Sequence, residues 1–268
     1  MATPYAEVIG DPVAHSKSPL IHRFWLEKLG LVGEYRAVRV QRGEAAAYLK
    51  MRCSDPCWRG CNVTAPLKKE AAQIAVDPIG LCRRIGAVNA VFRSPLGCGI
   101  GANTDLEGIG AAIGEVTPGI ACIIGAGGAA RTAVEYLRLK QLGEVRILAR
   151  QPSRAKGPGK TFRFDEAAAA MAGADLVINA TPLGMTGMPP MPDALLSALE
   201  RTADHATIFD MVYTPVDTQL LLRARSLGRA TADGLSMLVG QAAPSFALFF
   251  GPEPPRAHDQ ELRRLLVS

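Results

Sequence analysis

Residues 120–130 read Ile120-Ala121-Cys122-Ile123-Ile124-Gly125-Ala126-Gly127-Gly128-Ala129-Ala130. Five consecutive apolar residues without polar alternation predict a strand buried on both faces, the kind that parallel sheets use. The run stops at Gly125, and Arg131 to Leu139 continues with helical spacing, so Gly125-x-Gly127-x-x-Ala130 occupies a strand-to-helix turn. Glycines in that setting do specific work. Gly125 permits the tight turn, Gly127 lets backbone approach a pyrophosphate, and Ala130 lets the helix pack close to the strand. The helix start adds amide donors and partial positive charge for phosphate. A glycine turn that binds nothing is the plainer alternative, and the strand-to-helix setting argues against it.

Outward from this turn, Val145-Arg146-Ile147-Leu148-Ala149, Leu176-Val177-Ile178-Asn179 and Ile208-Phe209-Asp210 predict three further strands. The repeated strand–turn–helix rhythm is that of a dinucleotide-binding domain. An acid at the end of the second strand would bond a ribose 2′-hydroxyl; here Ala149-Arg150 stands there, followed by Arg154 and Lys156. Arginine pairs with a 2′-phosphate through a planar, always-charged fork, so the expected cofactor is NADP.

Before this region, Tyr5-Ala6-Glu7-Val8-Ile9-Gly10 predicts a strand, and Ser18-Pro19 a helix start with Ser18 as N-cap. Cys61-Asn62-Val63-Thr64 reads as a strand end, Pro66 as the opening of a helix with Lys68 in its first turn. Val88-Asn89-Ala90-Val91-Phe92 is a further strand, leading into the turn Ser94-Pro95-Leu96-Gly97. Strands separated by helices predict a parallel α/β sheet here as well. The end returns to helices, one from Met237 towards Phe250 and one over Asp259 to Leu266. Boundaries near 105 and 235 follow from the change of pattern, giving segments 1–105, 106–235 and 236–268.

Composition narrows the function classes. A chain of 268 residues corresponds to about two modest domains. Hydrophobic residues at 48% and charged residues at 21% exclude a disordered chain. Thirty basic against 25 acidic residues give +5, but basic runs reach only two residues (Lys68-Lys69, Arg83-Arg84, Arg263-Arg264) and aromatics are 6%. Those two features argue against a nucleic-acid partner and for small anionic ligands. The six cysteines form no CxxC pair and the histidines no HExxH, so no metal site is expected. Free thiols in a reducing cytosol are the expectation. The start Met1-Ala2-Thr3-Pro4 reads as no signal peptide, and Met237 to Phe250, interrupted by Gln241 and Pro244, is too short to span a membrane. A cytoplasmic protein without a membrane partner is expected.

In chain order the motifs resemble one family, the shikimate dehydrogenases, along nearly the whole sequence. His15-Ser16-Lys17-Ser18-Pro19 resembles its substrate-carboxylate loop, and Gly60-Cys61-Asn62-Val63-Thr64-Ala65-Pro66-Leu67-Lys68 its catalytic segment. Gly86-Ala87-Val88-Asn89 and Asn103-Thr104-Asp105 resemble its central substrate strands. Gly125 to Ala130, Asn179-Ala180-Thr181-Pro182-Leu183-Gly184-Met185, Asp210-Met211-Val212-Tyr213 and Asp233-Gly234-Leu235 resemble its cofactor side, and Met237-Leu238-x-x-Gln241 closes the series.

The resemblance implies an α/β enzyme of two domains: a substrate domain and a Rossmann-type NADP domain, with the C-terminal helices returning to the first and the site in the cleft between them. It implies NADPH-dependent, reversible reduction of 3-dehydroshikimate to shikimate. Lys68 and Asp105 would form the catalytic pair. Ser16 and Ser18 would meet the carboxylate, while Asn62, Thr64, Asn89, Tyr213 and Gln241 would join Lys68 and Asp105 around the substrate. Gly125, Ala126, Gly127, Gly128, Ala129, Arg150, Arg154, Thr181, Met211 and Gly234 would line the cofactor. A small-molecule partner and a monomer or homodimer are implied. The chain departs from the pattern at Ala90, where the family commonly has Thr, and at Leu106, where it has Gly. It departs again over Ala149-Arg150-Gln151-Pro152-Ser153-Arg154, after which Gly157-Pro158-Gly159 interrupts the next helix. Alternatives are a quinate/shikimate or aminoshikimate paralogue using NAD or NADP, and, in another class, a non-catalytic NADP-binding regulator.

Overall fold

The computed structural model describes residues 2–95, 97–114, 116–141, 143–155 and 159–267. Internal contacts divide the chain into one unit of Met1–Thr104 with Gln241–Ser268 and a second of Asp105–Gly240.

The first unit begins with β1 (Tyr5–Gly10), α1 (Ser18–Lys28), β2 (Glu34–Arg39), α2 (Ala45–Cys53), β3 (Trp58–Val63), α3 (Lys68–Ile74), α4 (Leu81–Ile85), β4 (Ala90–Ser94) and β5 (Gly97–Ala102). Its sheet has the order β2-β1-β3-β4-β5. β1 is parallel to β2 and β3, whereas β4 is antiparallel to both β3 and β5. The wholly parallel sheet expected here is therefore corrected to a mixed one. Ser94 pairs with Gly97 in a hairpin whose second strand, with glycines at 97, 99 and 101, carries little strand propensity of its own. Along β1 the two-residue period sends Tyr5 and Ile9 into one core with Trp58, Val63 and Leu67. Ala6 and Val8 face a second with Tyr35, Ala90 and Phe249.

Two local expectations also change. Ser18 is the first helical residue rather than the N-cap; Lys17 holds that position, and the Ser18 backbone N–H donates to Ser16 Oγ at 3.3 Å. The cysteines are not all free thiols. Cys53 at the end of α2 is bonded to Cys98 in β5, with Cα atoms 5.7 Å apart, while Cys57, Cys61, Cys82 and Cys122 are free. The hairpin brings β5 against α2, and that long-range pairing leaves no trace in local spacing.

The second unit comprises α5 (Asp105–Ile113), β6 (Ile120–Ile124), α6 (Gly128–Leu139), β7 (Glu144–Leu148), β8 (Lys160–Phe162), α7 (Ala167–Met171), β9 (Leu176–Asn179), α8 (Asp193–Ala198), β10 (Thr207–Asp210), α9 (Gln219–Ser226) and β11 (Ala230–Ala232). The boundary between units falls inside α10 (Gly234–Phe250), and α11 (Asp259–Val267) follows. All six strands are parallel, in the order β11-β10-β9-β6-β7-β8. Succession leaves β6 in one direction through β7 and β8, and in the other through β9, β10 and β11. The switch point therefore lies between the carboxyl ends of β6 and β9, where open α/β sheets bind ligands. Among the described residues only a 3-10 turn, Pro152–Arg154, stands between β7 and β8, and no helix is long and apolar enough to cross a membrane.

Candidate active site

In the first unit a buried polar network joins five segments. Asn62 on β3 accepts from Tyr35 Oη at 2.6 Å and donates to Ser245 Oγ at 2.9 Å. Asn89, just before β4, donates through Nδ2 to Thr104 Oγ1 at 2.9 Å and accepts the Thr104 backbone N–H at 2.7 Å. Gln241 on α10 brings its Oε1 to 3.4 Å from Asn89 Nδ2. Asn62, Asn89, Thr104, Gln241 and Ser245 are each at most 8% exposed. Buried neutral groups persist only when hydrogen-bonded, and this set is bonded to itself.

Backbone hydrogen bonds tie the network to the segment that Lys68 opens. Lys68 opens α3, and its carbonyl accepts the Val88 N–H at 3.0 Å. On the other side of the same segment, the Asn89 N–H donates to Ala102 O at 3.1 Å and Asn103 Nδ2 to Ala87 O at 3.0 Å. Residues 87–89 are thus stitched to the start of α3 on one side and to residues 102–104 on the other. Lys68 is half-buried where Lys69 is exposed, and the buried Asp105 follows directly on Thr104. Thr64 ends the β3 segment with its N–H on Ile9 O at 2.9 Å. Among the described residues no hydrogen bond links Ser16, Ser18 or Thr64 to the network; Ser18 is buried, and Ser16 and Thr64 are half-buried.

In the second unit Gly125 has φ +121°, and a Cβ there would meet Thr181 Cγ2 at 2.9 Å and Ala180 O at 3.2 Å. Only glycine fits this turn between the ends of β6 and β9. At Gly127 a Cβ would find no described atom within 4 Å, so the backbone ahead of α6 faces open space. Gly128 opens the helix, and Ala126 and Ala129 are half-buried. Thr181 bonds Asn179 Oδ1 through both its N–H (3.1 Å) and its hydroxyl (2.7 Å). Asn179 in turn donates to Asp210 Oδ1 at 2.9 Å, and Thr218 donates to Asp210 Oδ2 at 2.7 Å. Burial holds the Asp210 carboxyl above its ordinary range despite these donors. Met211 follows with its N–H on Asn179 O, and Gly234 packs where a Cβ would stand 2.4 Å from Met211 O. Tyr213 is half-buried beyond β10, its phenol pushed up by burial. Arg150 is exposed just after β7. The Arg154 side chain and residues Leu96, Lys156, Gly157 and Pro158 lie outside the described residues.

The family model for the shikimate dehydrogenase substrate binding domain matches residues 8–91. The shikimate dehydrogenase (NADP(+)) of Sphingopyxis alaskensis is 47% identical over 273 residues, covering 100% of this chain and 98% of its own. The chain belongs to the shikimate dehydrogenase family. The solved structure of shikimate 5-dehydrogenase from Thermus thermophilus, in complex with NADP(H) and shikimate, superposes with a TM-score of 0.83 at 32% identity, covering 98% of this chain and 99% of that one. Quinate dehydrogenase from Corynebacterium glutamicum, in complex with NAD, superposes at 0.85 with 25% identity, covering 98% and 99%.

Within this shikimate dehydrogenase framework, sequence reading missed three side chains. Tyr35 and Ser245 complete the network from an edge strand and a helix, and neither stands in a quoted motif. Arg131, one turn into α6, carries its Nη2 3.9 Å from where a Gly128 Cβ would stand, and burial lowers its guanidinium from the ordinary range. A cation at the glycine turn was legible as Gly-Gly-Ala-Ala-Arg, had the helix start been read for charge. Of the departures, Ala90 is buried against Val8, Tyr35 and Phe249, and Leu106 is buried in the first turn of α5. Among the described residues no cluster of three or more His, Cys, Asp or Glu is arranged to hold a metal.

Proposed function

We propose that this protein catalyses the NADPH-dependent, reversible reduction of 3-dehydroshikimate to shikimate. One observation carries the reading: a buried set of neutral hydroxyl-binding side chains, Asn62, Asn89, Thr104 and Gln241, lies beside the segment that Lys68 opens, in a chain of this family. Such groups both donate and accept, matching a polyhydroxylated ring better than a charged or apolar ligand. Ser16 and Ser18 offer hydroxyls to the carboxylate, with Thr64 and Tyr213 completing the substrate contacts.

The hydride comes from bound NADPH. The residues present fit that group: Gly127 leaves room where a side chain would intrude, the start of α6 supplies N–H donors, and Arg131 stands beside them. Gly125, Ala126, Gly128, Ala129, Thr181, Met211 and Gly234 shape the remainder of the cradle, and Arg150 with Arg154 binds the 2′-phosphate. As hydride reaches the carbonyl carbon, negative charge grows on its oxygen. The Lys68 ammonium stabilises that charge and delivers the proton, leaving a neutral amine that is reprotonated from solvent. Asp105 orients Lys68 and accepts a substrate hydroxyl. The enzyme works in the cytoplasm as a monomer or homodimer.

Initial rates with shikimate and quinate, each with NADP⁺ and NAD⁺, test the assignment. Shikimate with NADP⁺ is expected to be fastest; faster turnover of quinate with NAD⁺ sinks it in favour of a quinate dehydrogenase. Lys68→Ala is expected to lower kcat by about 10²–10⁴ with NADPH binding unchanged. Unchanged rates would remove Lys68 from the mechanism.

A further inference from the structure

The Asn62 carboxamide is held from both ends. Tyr35 Oη donates to Oδ1 at 2.6 Å, which fixes which end is oxygen, and Nδ2 donates to Ser245 Oγ at 2.9 Å and to Asn89 O at 3.3 Å. A carboxamide has two N–H donors and two acceptor lone pairs. Both donors and one lone pair are therefore spent inside the protein, and Asn62 meets a ligand only as an acceptor, through Oδ1.

Ser245 is the junction. Its hydroxyl has one proton and two lone pairs. The proton goes to Gln241 O, one turn back on α10, at 3.1 Å. One lone pair takes Asn62 Nδ2, which leaves the other for the Thr104 hydroxyl at 3.1 Å, whose single proton also has Asn89 Oδ1 at 3.3 Å and Gln241 Oε1 at 3.5 Å within reach. Thr104 Oγ1 in turn accepts from Asn89 Nδ2 at 2.9 Å. Donors thus run from Tyr35 through Asn62 to Ser245, and Thr104, which accepts from Asn89, stands within reach of the same oxygen. One hydroxyl, on a residue fully buried, ties β3, the segment after β5 and α10 together.

We propose that Ser245 and Tyr35 are positioning residues of the substrate site: without touching the substrate, they aim Asn62, Asn89 and Gln241 and fix Asn62 as an acceptor of a substrate hydroxyl. This rests on the functional reading above. Ser245→Ala removes the acceptor of one Asn62 N–H and one of the oxygens within reach of the Thr104 hydroxyl, loosening groups that bind the ring equally in ground and transition states. Loss of such uniform binding raises KM and spares kcat.

Steady-state kinetics of wild type, Ser245→Ala, Ser245→Thr and Tyr35→Phe, with shikimate and NADP⁺, test this. Ser245→Ala is expected to raise KM for shikimate about tenfold, the scale of one or two lost hydrogen bonds. Its kcat stays within about twofold and its KM for NADP⁺ is unchanged. Ser245→Thr, which keeps the hydroxyl, restores KM towards wild type, and Tyr35→Phe raises it in the same direction as Ser245→Ala. Unmoved KM for shikimate in both Ser245→Ala and Tyr35→Phe overturns the proposal. So does a fall in kcat with lowered thermal stability and no specific change in KM, the signature of a merely structural role. A wild type without shikimate-dependent NADP⁺ reduction instead refutes the functional reading, and the positioning role falls with it.

Discussion

His22 lies on α1 with none of its surface exposed, and its ring stacks on Tyr35 at 3.9 Å between centroids and 7° between planes. Trp25 and Phe246 stand at 5.8 Å and Phe249 at 6.1 Å. Among the described residues neither ring nitrogen has a hydrogen-bond partner. Burial alone pushes the imidazole down to about 3, so the folded protein keeps it neutral. In the unfolded chain the same group titrates near 6.5. As pH falls below 6.5 the unfolded chain gains a proton that the folded chain refuses, and stability is lost progressively until the pH approaches 3. Between pH 7 and pH 5 this linkage amounts to about 2 kcal/mol. His22→Phe keeps a stacked ring and removes the titration. Urea unfolding at both pH values, followed by fluorescence of the buried Trp25 and Trp58, measures the difference. Wild type should lose about 2 kcal/mol more than the variant between pH 7 and pH 5, other titrating groups cancelling. Equal losses would refute a neutral, desolvated His22.

Gly125→Ala, with φ +121° and only 2.9 Å to Thr181 Cγ2, should cost about 1–3 kcal/mol of stability and weaken NADPH binding in a fluorescence titration. Wild-type affinity and stability would contradict the turn. Thiol titration of the unfolded, unreduced protein should find four of the six cysteines reactive, and six would contradict the Cys53–Cys98 bond. Replacing both by alanine, across a separation of 45 residues, should lower stability in urea by about 2–4 kcal/mol. Arg150→Ala should raise KM for NADP⁺ about tenfold, the loss of a charge-assisted bond, and leave KM for NAD⁺ unchanged. An equal rise for both would take Arg150 off the 2′-phosphate.

The second unit was legible because each decisive signal is local. Ile120–Ile124 is a continuous apolar run, and the glycines that end it follow at once. The first unit hid more. β2 is an edge strand whose sequence, Glu34-Tyr35-Arg36-Ala37-Val38-Arg39, is mostly exposed, and it carries no alternating apolar pattern to mark Tyr35 as its one buried side chain. β5 is half glycine and takes its strand character from pairing with β4, a tertiary effect that overrides propensity. Asn62, Asn89 and Gln241 could be named from motifs, but the partner that joins Asn62 to Gln241 could not. Ser245 lies four residues past Gln241 in a mostly apolar helix, and its hydroxyl matters through atoms distant in sequence.

The place where the chain leaves the first unit has a consequence for its architecture. Thr104, the last residue before departure, and Gln241, the first on return, bring Oγ1 and Oε1 to 3.5 Å. On the other unit the returning end packs against its first helix, since a Cβ at Gly240 would stand 2.5 Å from Ala111 Cβ and 3.2 Å from Gly108 Cα in α5. The intervening stretch is thus an insertion with adjoining ends, the arrangement in which one domain is spliced into another with little loop-closure entropy. A short glycine-rich bridge from Thr104 to Gln241, in place of residues 105–240, would span that gap while keeping all five strands of the first sheet. Asn62, Asn89, Thr104, Gln241 and Ser245 would remain together on that shortened chain, because the parts they join are separated in sequence but contiguous in space.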